Sequence, residues 1–106
     1  MKTYRVIVTP DAEADLKKYL AYLRDVKKNP QAVKSVLEDF KDTKNELKSV
    51  AQSLPGPDSE KLKARGLKRI NFKKHNYFLL YYIDPIDTVY ITDVFHGLES
   101  FEDKLK

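Results

Sequence analysis

The sequence predicts an α+β domain in which a helical hairpin packs on one face of an antiparallel sheet. Three observations predict it: a short alternating segment at residues 4–8, a long stretch of helical periodicity broken once by Asn29-Pro30, and strand patterns in the last third. The element order is therefore β, α, α, β, β, β. A chain of 106 residues that is 42% hydrophobic forms a single domain, residues 1–106, with its own core.

The first two elements follow directly from local signals. Residues 4–8 alternate in the manner of a short strand that is apolar on at least one face. Thr9, Pro10 and Asp11 then predict a helix start, with Thr9 as the N-cap, Pro10 in the first helical position and acids in the first turn. The helical period continues to Asn29-Pro30.

A second helix is predicted from about Gln31 until Leu54, where the sequence PGPD ends it. The two helices are separated by only a few residues, so they should pack as an antiparallel hairpin. The aromatic residues Tyr19, Tyr22 and Phe40 are expected in the core between hairpin and sheet. The seam between the helices is expected to contain Leu16, Leu20, Leu23, Val36, Leu37 and Phe40.

Three strands are predicted after residue 67. Residues 68–73 alternate, with Ile70 and Phe72 on one side and Arg69, Asn71 and Lys73 on the other. Residues 77–83 are apolar throughout, which is typical of a central strand covered on both faces. Turns at residues 74–76 and 84–87 make these strands a meander with a last strand at residues 88–95. Residues 99–105 are expected to form a short helix.

Composition excludes several classes of chemistry. The chain has no cysteine, so disulfides, thiol catalysis and thiolate metal sites are absent, and we expect no cofactor and no metal. No segment is long and apolar enough to span a membrane, and no signal sequence precedes the first strand. A cytoplasmic protein without a membrane partner is therefore expected. The net charge of +4 is unevenly distributed, with a basic middle that favours an acidic partner.

The basic middle is the stretch KLKARGLKRINFKK at residues 61–74, which contains seven Lys or Arg and no acid. Beside an apolar strand it predicts a sheet with a positive face that attracts phosphate or an acidic protein. A solvated surface without a ligand is equally typical of such a charge run. The candidate binding residues are Lys61, Lys63, Arg65, Lys68, Lys73, Lys74 and, in the following turn, His75, together with Arg69.

In this order the elements resemble the RelE/ParE superfamily of bacterial toxins from type II toxin–antitoxin modules, over nearly the whole chain. The long helical hairpin is more similar to the ParE side. The marks of the resemblance are TPDAEADL at residues 9–16, YLAYL at 19–23, Leu54-Pro55, KRI at 68–70, YFLLYY at 77–82 and VFH at 94–96.

The resemblance implies a toxin that a cognate antitoxin neutralises. RelE-like members cut mRNA in the ribosome, and ParE-like members act on DNA gyrase; fold alone does not choose between them. Metal-independent RNA cleavage needs proton-transfer groups and cations that stabilise the charged phosphorane. Against the RelE-like pattern, Arg69 keeps a basic position, but Asn71 and Phe78 replace cations and Phe101 replaces a tyrosine.

His96 and, in the turn after the basic stretch, His75 remain as possible acid–base groups, because imidazole titrates near neutral pH. A lone histidine at a strand end is more often a structural hydrogen-bonding residue. Arg69 and His96 are thus the catalytic candidates only if the protein is a ribonuclease. We expect a ParE-like gyrase inhibitor; the alternatives are a ribosome-dependent mRNA endonuclease and an inactive homologue that only binds its antitoxin.

Overall fold

The computed structural model describes residues 3–54 and 59–97. In chain order the elements are β1 (Arg5–Val8), α1 (Pro10–Asp25), α2 (Pro30–Val50), α3 (Glu60–Ala64), β2 (Lys68–Asn71), β3 (Tyr77–Ile83) and β4 (Thr88–His96). The strands form one sheet in the order β1-β4-β3-β2. The predicted α+β class, with a strand, a helical hairpin and a meander, is confirmed.

The helix starts agree with the sequence signals. The side chain of Thr9 accepts a hydrogen bond from the Ala12 N–H at 3.3 Å and donates one to the carbonyl of Ile91 at 2.9 Å, so the α1 cap also ties the helix to β4. Asn29 caps α2 by accepting from the Ala32 N–H at 3.1 Å. The second helix ends at Val50, earlier than predicted.

The sheet is mixed, whereas an antiparallel sheet was expected. The meander β2-β3-β4 is antiparallel, but β1 pairs with β4 in parallel, from Arg5 opposite Thr88 to Val8 opposite Ile91. The sequence pattern of a four-residue strand does not encode its direction relative to a partner. The direction follows from the helical connection between β1 and the meander.

A β-bulge in β4 changes which side chains face the helices. Leu80 pairs with Asp93 and Tyr81 pairs with Ile91, so Thr92 is an extra residue. Before the bulge Ile91 faces the helices, and after it Val94 does. His96 consequently lies on the helix side of the sheet.

The sheet buries side chains on both faces. The main core lies between the sheet and the hairpin; its fully buried members include Leu47, Leu79 and Tyr81. The Tyr81 hydroxyl donates to the Ala51 carbonyl at 2.8 Å, and burial raises the pKa of this phenol. We call the opposite side of the sheet the outer face; there a smaller cluster contains Leu62, Leu67, Phe78, Leu80 and Phe95. The predicted two-sided burial of the third strand is confirmed at residues 78–81.

The short helix α3 was not predicted, and it covers part of the outer face. Ser59 caps its start by accepting from the Leu62 N–H at 3.4 Å. Its end has the hydrogen bonds of a Schellman motif, Leu67 N–H to the Leu62 carbonyl and Gly66 N–H to the Lys63 carbonyl. Gly66 has φ +69, which favours glycine. The serine and the glycine that flank this segment were available as sequence signals.

Two helix-face predictions need correction. Tyr22 was expected in the core, but 48% of it is exposed. Within the predicted seam, Leu16, Val36 and Phe40 are buried, whereas Leu20, Leu23 and Leu37 are partly buried at its edge. Tyr22 lies near the end of α1. The predicted helix at residues 99–105 lies outside the described residues.

Candidate functional site

Arg69 lies on the outer face of the edge strand β2, where its side chain covers an aromatic ring. Its guanidinium carbon lies 3.9 Å from the centroid of the Phe78 ring, a cation–π contact. Its Nε donates to the Asn71 side chain at 2.9 Å. Partial burial lowers the pKa of Arg69, which nevertheless stays charged at neutral pH. Phe78 therefore belongs to the apolar cluster of the outer face, and the Arg69 side chain covers its ring.

His96 lies at the end of β4 on the helix face. Its ring meets that of Tyr77 edge-on, with centroids 5.0 Å apart, and Tyr77 in turn meets Tyr19 at 5.3 Å. The His96 backbone N–H donates to the Tyr19 hydroxyl at 3.2 Å. The strand end, the start of β3 and the middle of α1 are thus joined by aromatic contacts.

The structure does not bring Arg69 and His96 together. Arg69 contacts Phe78 on the outer face, whereas His96 contacts Tyr77 on the helix face. Adjacent residues of one strand point to opposite faces, so the sheet separates the two candidate catalytic groups. A single phosphate bound to the sheet would contact one of them and not the other.

The basic stretch divides into two groups. Lys61 and Lys63 belong to α3 and Arg65 caps its end, and all three are exposed. Lys63 lies 3.7 Å from Glu60, an exposed pair of little energetic weight. Arg65 borders a shallow groove with Tyr82 and Asp93. This group places three cations beside the outer face, next to a groove that the carboxylates of Asp11 and Asp93 also line.

The other lysines contact the helical hairpin. Lys68 Nζ donates to the carbonyls of Gln52 at 3.3 Å and Leu54 at 3.2 Å, just beyond α2. Lys73 Nζ lies 3.2 Å from a carboxylate oxygen of Glu46 on α2. Lys73 was predicted on the side of Arg69, but β2 ends at Asn71, so the alternation does not extend to it. Both side chains therefore join the edge strand to the hairpin.

Asp39 is a buried carboxylate that the sequence reasoning did not identify. It is 2% exposed and accepts backbone hydrogen bonds from Lys73 at 3.1 Å and from Lys74 and His75 at 2.9 Å. It thereby holds the turn between β2 and β3 against α2. An available signal was its position within the apolar stripe of α2, three residues after Val36.

His75 completes this arrangement. Its Nδ1 lies 2.8 Å from the Asp39 carboxylate and its Nε2 lies 3.2 Å from the Ser35 hydroxyl. Burial by itself raises the pKa of Asp39, but hydrogen bonds from the His75 ring and the turn backbone outweigh it and lower the pKa. The carboxylate is thus ionised and only accepts, so Nδ1 carries the hydrogen. His75, predicted as a binding residue, has structural partners here.

The described residues include no group of three or more His, Asp or Glu arranged to hold a metal ion. Within the same part of the chain, none of the helices combines the length and apolar character that a membrane span requires. Two surfaces of the described residues remain as candidates for function. One is the outer side with the cations of α3 and Arg69, and the other is a cleft beside His96.

Comparison with known proteins assigns the class. The family model described as the ParE toxin of the type II toxin–antitoxin system parDE matches residues 6–101. The chain therefore belongs to the ParE toxin family, which confirms the resemblance that the motifs indicated. A search of curated protein sequences finds no match.

Two solved structures are similar in fold. One is the chromosomal ParDE toxin–antitoxin system from P. aeruginosa, with 17% identity and a TM-score of 0.73; the alignment covers 89% of this chain and 96% of that chain. The other is the RelBE2 toxin–antitoxin complex from Mycobacterium tuberculosis, with 25% identity and a TM-score of 0.56, covering 89% and 98%. The toxin fold is common to both.

Proposed function

We propose that the protein is the toxin of a type II toxin–antitoxin module that inhibits growth in the cytoplasm by binding DNA gyrase. The observation that carries this proposal is the position of the two candidate catalytic groups on opposite faces of the sheet. Cleavage through the RNA 2′-hydroxyl needs cations and proton-transfer groups around one phosphate. A toxin that inhibits gyrase by binding to it does not need these groups to lie close together.

The outer face gives further support. At the position where a ribonuclease of this kind would carry a cation, Phe78 packs with Leu62 and Phe95. Asn71 accepts a hydrogen bond from Arg69 and supplies no charge of its own. Losing an oriented charge-stabilising donor typically costs about 10²–10³ in rate, so the loss of several disfavours efficient cleavage. The cations that remain suit electrostatic attraction to an acidic partner.

The partner that neutralises the toxin is a cognate antitoxin. Support comes from the family and from the two similar structures, which are toxin–antitoxin complexes. The surface we assign to an acidic region of the antitoxin contains the outer cations Lys61, Lys63 and Arg65, together with Lys74, which is exposed in the turn between β2 and β3. Several exposed charges together give an attraction that salt weakens.

The deciding experiment tests both activities side by side. Purified protein is added to a gyrase supercoiling assay and, separately, to a translating extract in which mRNA cleavage is mapped. We expect inhibited supercoiling and intact mRNA, and the inhibition of supercoiling should disappear when antitoxin is added first. Cleavage at ribosomes with unaffected gyrase would establish the endonuclease instead. Inactivity in both assays, with antitoxin binding retained, would identify a homologue that only binds its antitoxin.

A further inference from the structure

A second surface, separate from the outer cations, lies at the end of α1. It is a cleft of about 670 Å³ between α1, the start of β3 and the end of β4. This volume is in the range of sites that hold small ligands or several side chains. The cleft is bordered by Lys18, Tyr19, Tyr22, Leu23, Lys27, Tyr77 and His96.

The floor of the cleft is ordered and its rim is exposed. Tyr19, Tyr77 and His96 meet edge-on, and Tyr19 also accepts the hydrogen bond from the His96 backbone, so these rings hold a fixed shape. Tyr22 is 48% exposed at the rim. Tyrosine is one of the residue types that most often anchor protein interfaces.

The charge of the cleft has one sign. Of the residues that the structure describes, those at its border include Lys18 and Lys27 and no carboxylate. Two ion pairs of α1 involve other residues and join Lys17 to Glu13 and Arg24 to Asp25. A ligand that fits this cleft should therefore carry an apolar group with negative charges on either side of it, one near Lys18 and one near Lys27.

The lysines also decide which class of ligand fits. Lys18 Nζ lies 5.1 Å from the centroid of the Tyr19 ring, and Lys27 Nζ lies 5.9 Å from that of Tyr22. Nucleobases bind aromatic side chains by stacking on their faces. The ammonium groups compete with a base for these ring faces, whereas Leu23 and the aromatic rings border the cleft with apolar surface that suits an apolar side chain.

We propose that this cleft docks an acidic peptide segment of a protein partner, with an aliphatic or aromatic side chain in the cleft and carboxylates at Lys18 and Lys27. It differs in position from the outer cations assigned to the antitoxin. It also does not depend on gyrase inhibition, since binding is measured without any toxicity readout.

The test is a titration of the isotope-labelled full chain with a capped Glu-Asp-Phe-Leu-Glu-Asp peptide, followed by NMR. We expect shifts concentrated at Tyr19, Tyr22, Tyr77 and His96. The double variant Lys18→Glu/Lys27→Glu should bind about tenfold more weakly. The matched control Lys34→Glu/Lys41→Glu changes the charge equally at exposed positions of α2 and should keep the parent's affinity.

Several results would overturn the proposal. These are an absence of shifts at the cleft, equal weakening by both double variants, or stronger binding of a thymidine oligonucleotide at the same residues. Shifts that depend on protein concentration without peptide would indicate a second copy of the chain. Tyr22→Ala, at an exposed position, supplies a second variant that should bind more weakly without loss of folding.

Discussion

The Asp39 carboxylate accepts a hydrogen bond from Nδ1 of His75 at 2.8 Å, and this contact joins the middle of α2 to the turn between β2 and β3. Asp39 is buried, and backbone N–H groups of the turn supply further hydrogen bonds. A buried carboxylate is stable only when its oxygens have such partners. A single side chain of α2 therefore positions the turn that joins β2 to β3.

Asp39→Asn should destabilise the protein by about 1–3 kcal/mol, because the amide nitrogen cannot accept and leaves turn donors unpaired. Urea denaturation measures the free energy of unfolding. Asp42→Asn, at an exposed carboxylate on the same helix, is the control and should change stability by less than about 0.5 kcal/mol. Equal stability of the two variants would contradict the role of Asp39.

The same carboxylate predicts a pH dependence. The folded-state pKa of Asp39 is lowered below its ordinary value of 3.8, so its contribution to stability is present above 3.8 and is lost as the pH falls through the folded value. The gap in unfolding free energy between the parent and Asp39→Asn should thus be larger at neutral pH than in acid. Denaturation of both proteins across this pH range measures it; a constant gap would refute it.

Leucine truncations in α2 should differ according to burial. Leu47 is fully buried, and Leu47→Ala should cost about 3–5 kcal/mol through lost burial and a cavity. Leu37 lies at the edge of the core, and Leu37→Ala should cost about 2 kcal/mol. Thermal and urea melts of both variants rank them. If the Leu37→Ala variant is as stable as the parent, Leu37 does not contribute to the packing between the two helices.

Charge reversal at the exposed cations that we assign to the antitoxin should weaken antitoxin binding. Arg65→Glu and Lys74→Glu are expected to lower affinity by about three- to tenfold and to flatten its salt dependence, measured by calorimetry at several salt concentrations. Lys34→Glu is the matched control. Reversal of Lys68 and Lys73 should weaken the complex too, but it also breaks their contacts with α2, so those variants need a stability measurement beside the affinity.

Arg69→Ala and His96→Ala should leave toxicity in place, because the two groups do not share a site. The measurement is growth after induction, with circular dichroism and melts to verify folding. Should either folded variant become harmless while the parent cuts mRNA at ribosomes, the endonuclease hypothesis is correct and the gyrase proposal fails.

Local sequence signals determined most of the secondary structure. Thr9-Pro10 and Asn29-Pro30 mark helix starts because capping and proline geometry act within a few residues. The alternation of residues 68–71 and the apolar run at 77–83 likewise identify strands and the faces that they bury. These patterns, with the quoted motifs, were sufficient to indicate the toxin family.

Tertiary structure decided what depends on residues far apart in the chain. The parallel pairing of β1, the bulge at Thr92 and the resulting orientation of His96 depend on how the strands meet, which no local pattern encodes. The burial of Asp39 and the exposure of Tyr22 depend on where each helix crosses the sheet. Since a one-residue shift moves a strand side chain to the other face, the separation of Arg69 from His96 could be known only from the folded sheet.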